Sequence, residues 1–155
     1  MSKVVRIGII GAGRIGKLHA ENITKFVKSV EVVGISDVLM NEQMEAWAKG
    51  LGIRVVTKEA MDLIKHPDID AIMVCSSTAT HADYTIAAAK EGKHIFCEKP
   101  IDLSVKKGLE AIKAAKAHKV KLQLGFNRRF DHNFRQVREL TKTGKVGDVH
   151  IVKIT

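Results

Sequence analysis

Val4-Val5-Arg6-Ile7-Gly8-Ile9-Ile10 runs directly into Gly11-Ala12-Gly13-Arg14-Ile15-Gly16, and this stretch decides the fold. An apolar, β-branched run of that length reads as a buried strand. The glycines that follow are spaced Gly-x-Gly-x-x-Gly and open a helical-period segment from about Arg14 to Val27. Alone, the spacing is common and also fits a glycine-rich turn without a ligand. Between a strand and a helix, each glycine acquires a task. Gly11 permits a tight turn, Gly13 lets backbone approach a pyrophosphate, and Gly16 lets the helix lie close to the strand. Amides at the positive end of the helix then suit a diphosphate. Gly11, Ala12, Gly13, Arg14, Ile15 and Gly16 are the residues expected to hold it.

Outward from this turn, apolar runs alternate with helical-period segments. Further strands are expected at Val30 to Ile35, Ile53 to Val56, Ala71 to Cys75, His94 to Cys97 and Lys121 to Leu124. Helices are expected over Glu42 to Leu51, Lys58 to Lys65, His81 to Lys90 and Val105 to His118. In the last of these, Val105, Leu109 and Ile112 recur at i, i+4 and i+7, and Ser104 stands as a candidate N-cap. Alternation of this kind gives an α/β fold with a parallel sheet. Right-handed crossovers favour a doubly wound sheet in the order 3-2-1-4-5-6. Past Leu124 the pattern changes. Phe130, Phe134 and Val137 mark another amphipathic helix, and Val149 to Thr155 reads as a last strand with no obvious neighbour. Residues 1–124 are therefore expected to form a dinucleotide-binding domain. Residues 125–155 would be the linking helix and first strand of a second, largely missing α+β domain.

The composition is that of a globular domain, with 45% hydrophobic and 28% charged residues in 155. That length supports one core without disulfide or metal staples. No apolar run approaches the roughly 20 residues of a spanning helix, and the start lacks a signal-peptide pattern, so a cytoplasmic protein is expected. Cys75 and Cys97 show no metal-ligand spacing, and no metal site is expected. They read as small core residues kept reduced. The net charge of +9 falls entirely from Lys90 onward, where 16 basic residues face 7 acidic ones. Without a recognition motif or interleaved aromatics, these lysines read as solvated helix faces rather than a nucleic-acid surface.

Three further groups sit at strand ends, where ligands of open α/β sheets bind. Asp37 follows the second strand, 21 positions beyond Gly16, where an acidic residue accepts hydrogen bonds from an adenosine ribose. It would repel a 2′-phosphate and Val38 offers no compensating arginine, which favours NAD over NADP; the plainer reading is a cap on the next loop. Ser76-Ser77-Thr78 and Glu98-Lys99-Pro100 end the fourth and fifth strands. Thr80 with Asp83 resembles a capping box, which would make His81 an ordinary first-turn residue. Lys99, fixed in direction before Pro100 and expected to be partly desolvated, suits orienting a hydroxyl or relaying its proton. A surface lysine is the alternative. A cis bond before Pro100 is plausible.

Taken together, the Gly11 to Gly16 loop, Asp37, Glu98-Lys99-Pro100 and Gly125-Phe126-Asn127-Arg128-Arg129-Phe130 resemble the family of glucose-fructose oxidoreductase and inositol dehydrogenase. The stretch Phe126 to Asp131 is most similar to bacterial inositol 2-dehydrogenases. The resemblance runs over essentially the whole chain. It implies that Lys99 is the catalytic lysine and that Glu98 joins it among the cofactor contacts. It further implies that Ser76, Ser77 and Thr78 with His81 line the nicotinamide ribose, and that Arg128 sits beside the cofactor. Ser76-Ser77-Thr78 departs from the Thr-Pro-Asn usual there. The family's Asp-x-x-x-His motif, which belongs to its second domain, is missing after Lys99, and His118, His132 and His150 read as surface residues. The resemblance thus implies the NAD-binding portion of an oxidoreductase acting on a secondary hydroxyl of inositol or a sugar. Its parent would be a homo-oligomer, dimer or tetramer, and the chain alone would be inactive. A non-catalytic NAD-binding regulator or sensor is the rival reading.

Overall fold

Residues 4–153 are described by a computed structural model. In chain order they form β1 (Val5–Ile10), α1 (Arg14–Phe26), β2 (Val30–Ser36), α2 (Glu42–Gly50), β3 (Val55–Thr57), α3 (Ala60–Ile64), β4 (Ala71–Val74), α4 (Thr78–Lys90), β5 (His94–Cys97), α5 (Val105–Ala117) and β6 (Leu122–Leu124). All five strand pairings are parallel and the order is β3-β2-β1-β4-β5-β6. The chain therefore winds from β1 outward in one direction, then returns past β1 to build β4 to β6. That reversal leaves a crevice at the carboxyl ends of β1 and β4.

Successive β1 side chains serve opposite faces. Ile7 and Ile9 join Ala20 of α1 and Ala48 of α2 in one core, while Ile10 joins Leu63, Ile64, Ala88 and Ile95 in the other. Cys75 belongs to the first core and Cys97 to the second, and both are free thiols. Burial pushes the Cys75 thiol up to about 12, with Glu98 adding to the effect, and the Cys97 thiol up to about 11. At about pH 8, where an ordinary thiol is partly thiolate, neither will react with a disulfide reagent in the native chain. Both will react once denaturant unfolds it, and fast labelling of the native protein would contradict this packing.

Several local expectations are corrected. Ile53 lies outside β3: its amide bonds the Ala48 carbonyl and closes α2, so it is a buried helix stop rather than a strand residue. α3 is shorter than expected, and α4 begins at Thr78, three residues before His81. The apolar spacing of Val105, Leu109 and Ile112 misidentifies the buried face of α5. Gly108, Ala111 and Ala115 are buried, whereas Val105 is 81% exposed. α5 packs on α4, and close approach of two helices selects small side chains over large ones. Ser104 stands at the N-cap without a side-chain bond; its amide donates to Asp102 Oδ1 at 2.8 Å.

The chain divides into two compact units, the first ending at Gly125 and the second starting at Phe126. In the second, a 3₁₀ turn Asn127–Phe130 precedes α6 (His132–Lys142). Asp131 caps α6, accepting from the Asn133 and Phe134 amides, and these bonds with Arg128 hold its carboxyl below the usual range. The strand expected at Val149 to Thr155 does not form over residues 149–153, and Ile151 is 88% exposed. A strand needs a neighbour's backbone to complete its hydrogen bonds, and among the described residues none pairs with this stretch. Ile154 and Thr155 lie outside the described residues. Among the described residues, no helix is long and apolar enough to cross a membrane.

Candidate functional site

The turn after β1 is locked by two internal bonds. The Gly11 amide donates to the Ser36 carbonyl at 2.7 Å, and the Ala12 amide donates to Asp37 Oδ2 at 2.7 Å. Gly11 has φ +99°, and a Cβ there would stand 2.6 Å from the Cys75 carbonyl and the Ser76 nitrogen. A Cβ on Gly16 would run into the Gly11 carbonyl oxygen. Both glycines are thus required by the fold itself.

Gly13 differs. It is the N-cap of α1 with φ −70° and ψ −171°, a conformation open to any residue, and a Cβ there would meet nothing within 4 Å. Among the described residues, no side-chain cap bond closes this helix end. The Lys17 amide makes the bond to the Gly13 carbonyl. The Arg14 and Ile15 amides therefore open the helix without acceptors inside it. Because Ala12 and Gly11 spend their amides on the protein, the donors left to an anion are the amides of Gly13, Arg14, Ile15 and Gly16.

Beside the turn is a cavity of about 260 Å³, lined by Gly11, Ser36, Asp37, Lys58, Thr80 and Tyr84 among others. Asp37 does serve as a loop cap, since Oδ1 accepts from the Leu39 amide at 2.9 Å. With one backbone bond on each oxygen, it still has acceptor capacity facing the cavity, because a carboxylate accepts about four hydrogen bonds. Ser36 is buried, and its hydroxyl has no partner among the described residues. Lys58 and Tyr84 were not anticipated as site residues. Lys58 follows β3, a strand end left out when the carboxyl edge is read from sequence.

At the end of β4, the Ser76 hydroxyl donates to Thr80 Oγ1 at 2.8 Å, and Thr80 in turn donates to the Ser77 carbonyl at 2.8 Å. Thr80 therefore does not cap with Asp83, whose carboxylate meets Lys107 at 3.3 Å. Ser77 is the N-cap and Thr78 opens the helix. His81 is 2% exposed. Its Nδ1 lies 2.7 Å from the Pro100 carbonyl oxygen and its Nε2 3.0 Å from the Ser76 carbonyl oxygen. Carbonyl oxygens only accept, so a ring with one proton bonds one of them and a ring with two bonds both. His81 is not an idle first-turn residue, and its ring nitrogens face protein rather than ligand space.

At the end of β5, the Glu98 carboxylate turns inward. Oε1 lies 2.9 Å from His19 Nε2 on α1, and Oε2 accepts from the Lys99 amide at 3.3 Å. Lys99 is exposed, so the expected desolvation is absent among the described residues, and the Lys99–Pro100 bond is cis. Arg128 belongs to the second unit, where it pairs with Asp131 at 3.1 Å and lies over the Phe134 ring. Of the residues singled out from sequence, Gly11, Asp37, Ser76 and Ser77 line one cavity. Glu98, Lys99 and His81 gather at the neighbouring strand end.

The model of an oxidoreductase family with an NAD-binding Rossmann fold, GFO/IDH/MocA, matches residues 5–126. Myo-inositol 2-dehydrogenase of Thermotoga maritima is 42% identical over 151 residues, 97% of this chain and 45% of that protein. Inositol 2-dehydrogenase of Rhizobium meliloti is also 42% identical over 151 residues, 97% of this chain and 44% of its own length. The crystal structure of scyllo-inositol dehydrogenase from Lactobacillus casei, with bound NAD(H) and scyllo-inositol, matches with a TM-score of 0.86 at 36% identity. It covers 94% of this chain and 43% of that one. The chain thus spans less than half the length of the relatives it matches. With the glycine turn, the acidic residue after β2 and the strand order all agreeing, the chain belongs to the GFO/IDH/MocA oxidoreductase family through its NAD-binding Rossmann fold.

Proposed function

We propose that this chain is the NAD-binding portion of a dehydrogenase that oxidises a secondary hydroxyl of inositol or a related sugar. Gly13 carries the reading. The fold gives no steric reason for glycine at that helix end, whereas a phosphate drawn close to uncapped amides does. The cavity beside it, about 260 Å³, is smaller than the roughly 300–1,000 Å³ of whole-ligand pockets. It suits one part of a dinucleotide, the adenosine, with the remainder lying along the carboxyl edge. There the Gly13, Arg14 and Ile15 amides hold the diphosphate, and Asp37 and the buried Ser36 hydroxyl accept and share bonds with ribose hydroxyls. Ser76 and Ser77 bound the same crevice.

NAD, when bound, supplies the acceptor for the hydride. The part of this chain in the chemistry is Lys99, whose ammonium donates a hydrogen bond that orients the substrate hydroxyl. The residues from Gly125 onward begin the segment that completes the substrate side.

Asp37 also sets cofactor choice, by repulsion of a 2′-phosphate. Calorimetry on the chain will show NADH binding more tightly than NADPH. Asp37→Asn removes the charge; its one amide oxygen still accepts from the Ala12 amide, and the bond from the Leu39 amide is lost. The substitution will narrow the NADH preference about tenfold, the effect of roughly 1.4 kcal/mol of lost repulsion. No heat from either nucleotide with folded chain would remove the proposal, and an initial preference for NADPH would remove the role of Asp37.

A further inference from the structure

Lys99 stands between two residues that are each tied to a different helix by a histidine. On its amino side, the Glu98 carboxylate meets His19 of α1 at 2.9 Å. On its carboxyl side, the Pro100 carbonyl oxygen lies 2.7 Å from His81 of α4. We infer that His19 and His81 are a pair of positioning residues that hold Lys99 at the carboxyl edge of the sheet, and this rests on the role of Lys99 proposed above.

Three observations support it. Lys99 and Pro100 are themselves exposed, and the last bond to the sheet before them runs from the Glu98 amide to the Val74 carbonyl at 2.9 Å, so packing and the sheet hold the chain as far as Glu98 but not the lysine itself. What fixes it is hydrogen bonding by its neighbours. Glu98 is immobilised on several sides. His19 takes Oε1, the Lys99 amide takes Oε2, and a Cβ on Gly125 would come within 3.1 Å of the carboxyl carbon. His19 is held in its turn, its ring set edge-on to Phe96 with 5.6 Å between centroids. His81 is buried, and its second nitrogen lies 3.0 Å from the Ser76 carbonyl oxygen, so the ring is seated between the loops that follow β4 and β5.

The arrangement has a functional logic. α1 is the helix whose amino end is offered to the diphosphate, and α4 begins beside the cavity. Anchoring both flanks of Lys99 to these two helices places its ammonium relative to whatever the helices bind. A flexible lysine alone would spread over many rotamers, and holding its backbone removes part of that freedom.

The test uses the whole 155-residue chain, unsubstituted and as His19→Ala, His19→Gln and His81→Gln. Backbone relaxation of the free protein is read first. In the unsubstituted chain the Lys99 amide will be as ordered as its strand, with an order parameter near about 0.85. In His19→Ala and His81→Gln it will fall below about 0.6 while amides within α1 and α4 stay ordered. His19→Gln keeps a donor for Glu98 and will restore most of the order. NADH titration is read second, with Lys99→Met and its combinations. Lys99→Met and His19→Ala will each weaken binding several-fold, and the double variant will be no weaker than Lys99→Met, because the histidine acts through the lysine.

A Lys99 amide that stays equally rigid in both histidine variants overturns the inference, and so do losses that simply multiply in the double variant. Chain that binds no NADH at all defeats the functional proposal, and the relaxation result then decides this inference by itself.

Discussion

Gly13→Val will weaken NADH binding by about a hundredfold while changing the free energy of unfolding by less than about 1 kcal/mol. The asymmetry follows from what surrounds Gly13. Its backbone angles suit a β-branched residue, and the space a side chain would enter is open. Replacing glycine at an N-cap with valine costs up to about 1 kcal/mol of helix stability, which the reduced freedom of the unfolded chain partly offsets. In the ligand-bound state the same side chain fills the place of the diphosphate and separates it from the helix amides. Two charge-assisted hydrogen bonds at about 1.5 kcal/mol each amount to about 3 kcal/mol, or a hundredfold in affinity. Calorimetry and urea unfolding on the same preparation measure both halves. Unchanged NADH affinity would mean that this helix end holds no phosphate, and the proposed function would lose its main support.

The same contrast explains what the sequence discloses and what it conceals. The glycine turn, the strand order and the position of Asp37 are local or periodic features. A strand-turn-helix with fixed spacing admits few geometries, and handedness rules leave few ways to wind the remaining strands. Position along the chain is therefore enough to put Asp37 next to Ala12, 25 residues away, at 2.7 Å. The face of α5 was not legible. Val105 and Leu109 outweigh Gly108 and Ala111 in any hydrophobic count, yet how closely α4 approaches decides which of them is buried. The part of His19 was concealed for a different reason. It is an unremarked residue six positions into α1, and only the fold brings it to Glu98, 79 residues later. Burial, too, is a property of the neighbourhood. Lys99 stands before a proline, as its reading required, but the residues that would desolvate it are not supplied by the described chain.

Gly16→Ala will destabilise the chain by about 3 kcal/mol, the opposite outcome to Gly13→Val three residues earlier. Helix propensity alone favours alanine by about 1 kcal/mol at this interior position of α1. Collision with the Gly11 carbonyl oxygen opposes it, and the obstacle is backbone rather than the movable tip of a side chain. The Gly11 carbonyl has little room to withdraw, because the Gly11 amide is bonded to the Ser36 carbonyl at 2.7 Å and φ at Gly11 is held at +99°. The remaining route is for α1 to lift from β1. That opens the core around Ala20, Ile7 and Ile9, and forced repacking of this kind costs roughly 1–3 kcal/mol or more. Backbone obstruction puts the net effect at the upper end, and urea unfolding will show it as a lower midpoint with an unchanged slope. Under conditions where the variant is still folded, lifting α1 also carries its amides away from the crevice, so NADH affinity will fall as well. A variant as stable as the parent would mean that α1 and β1 are not in the close contact on which the entire phosphate-binding turn depends.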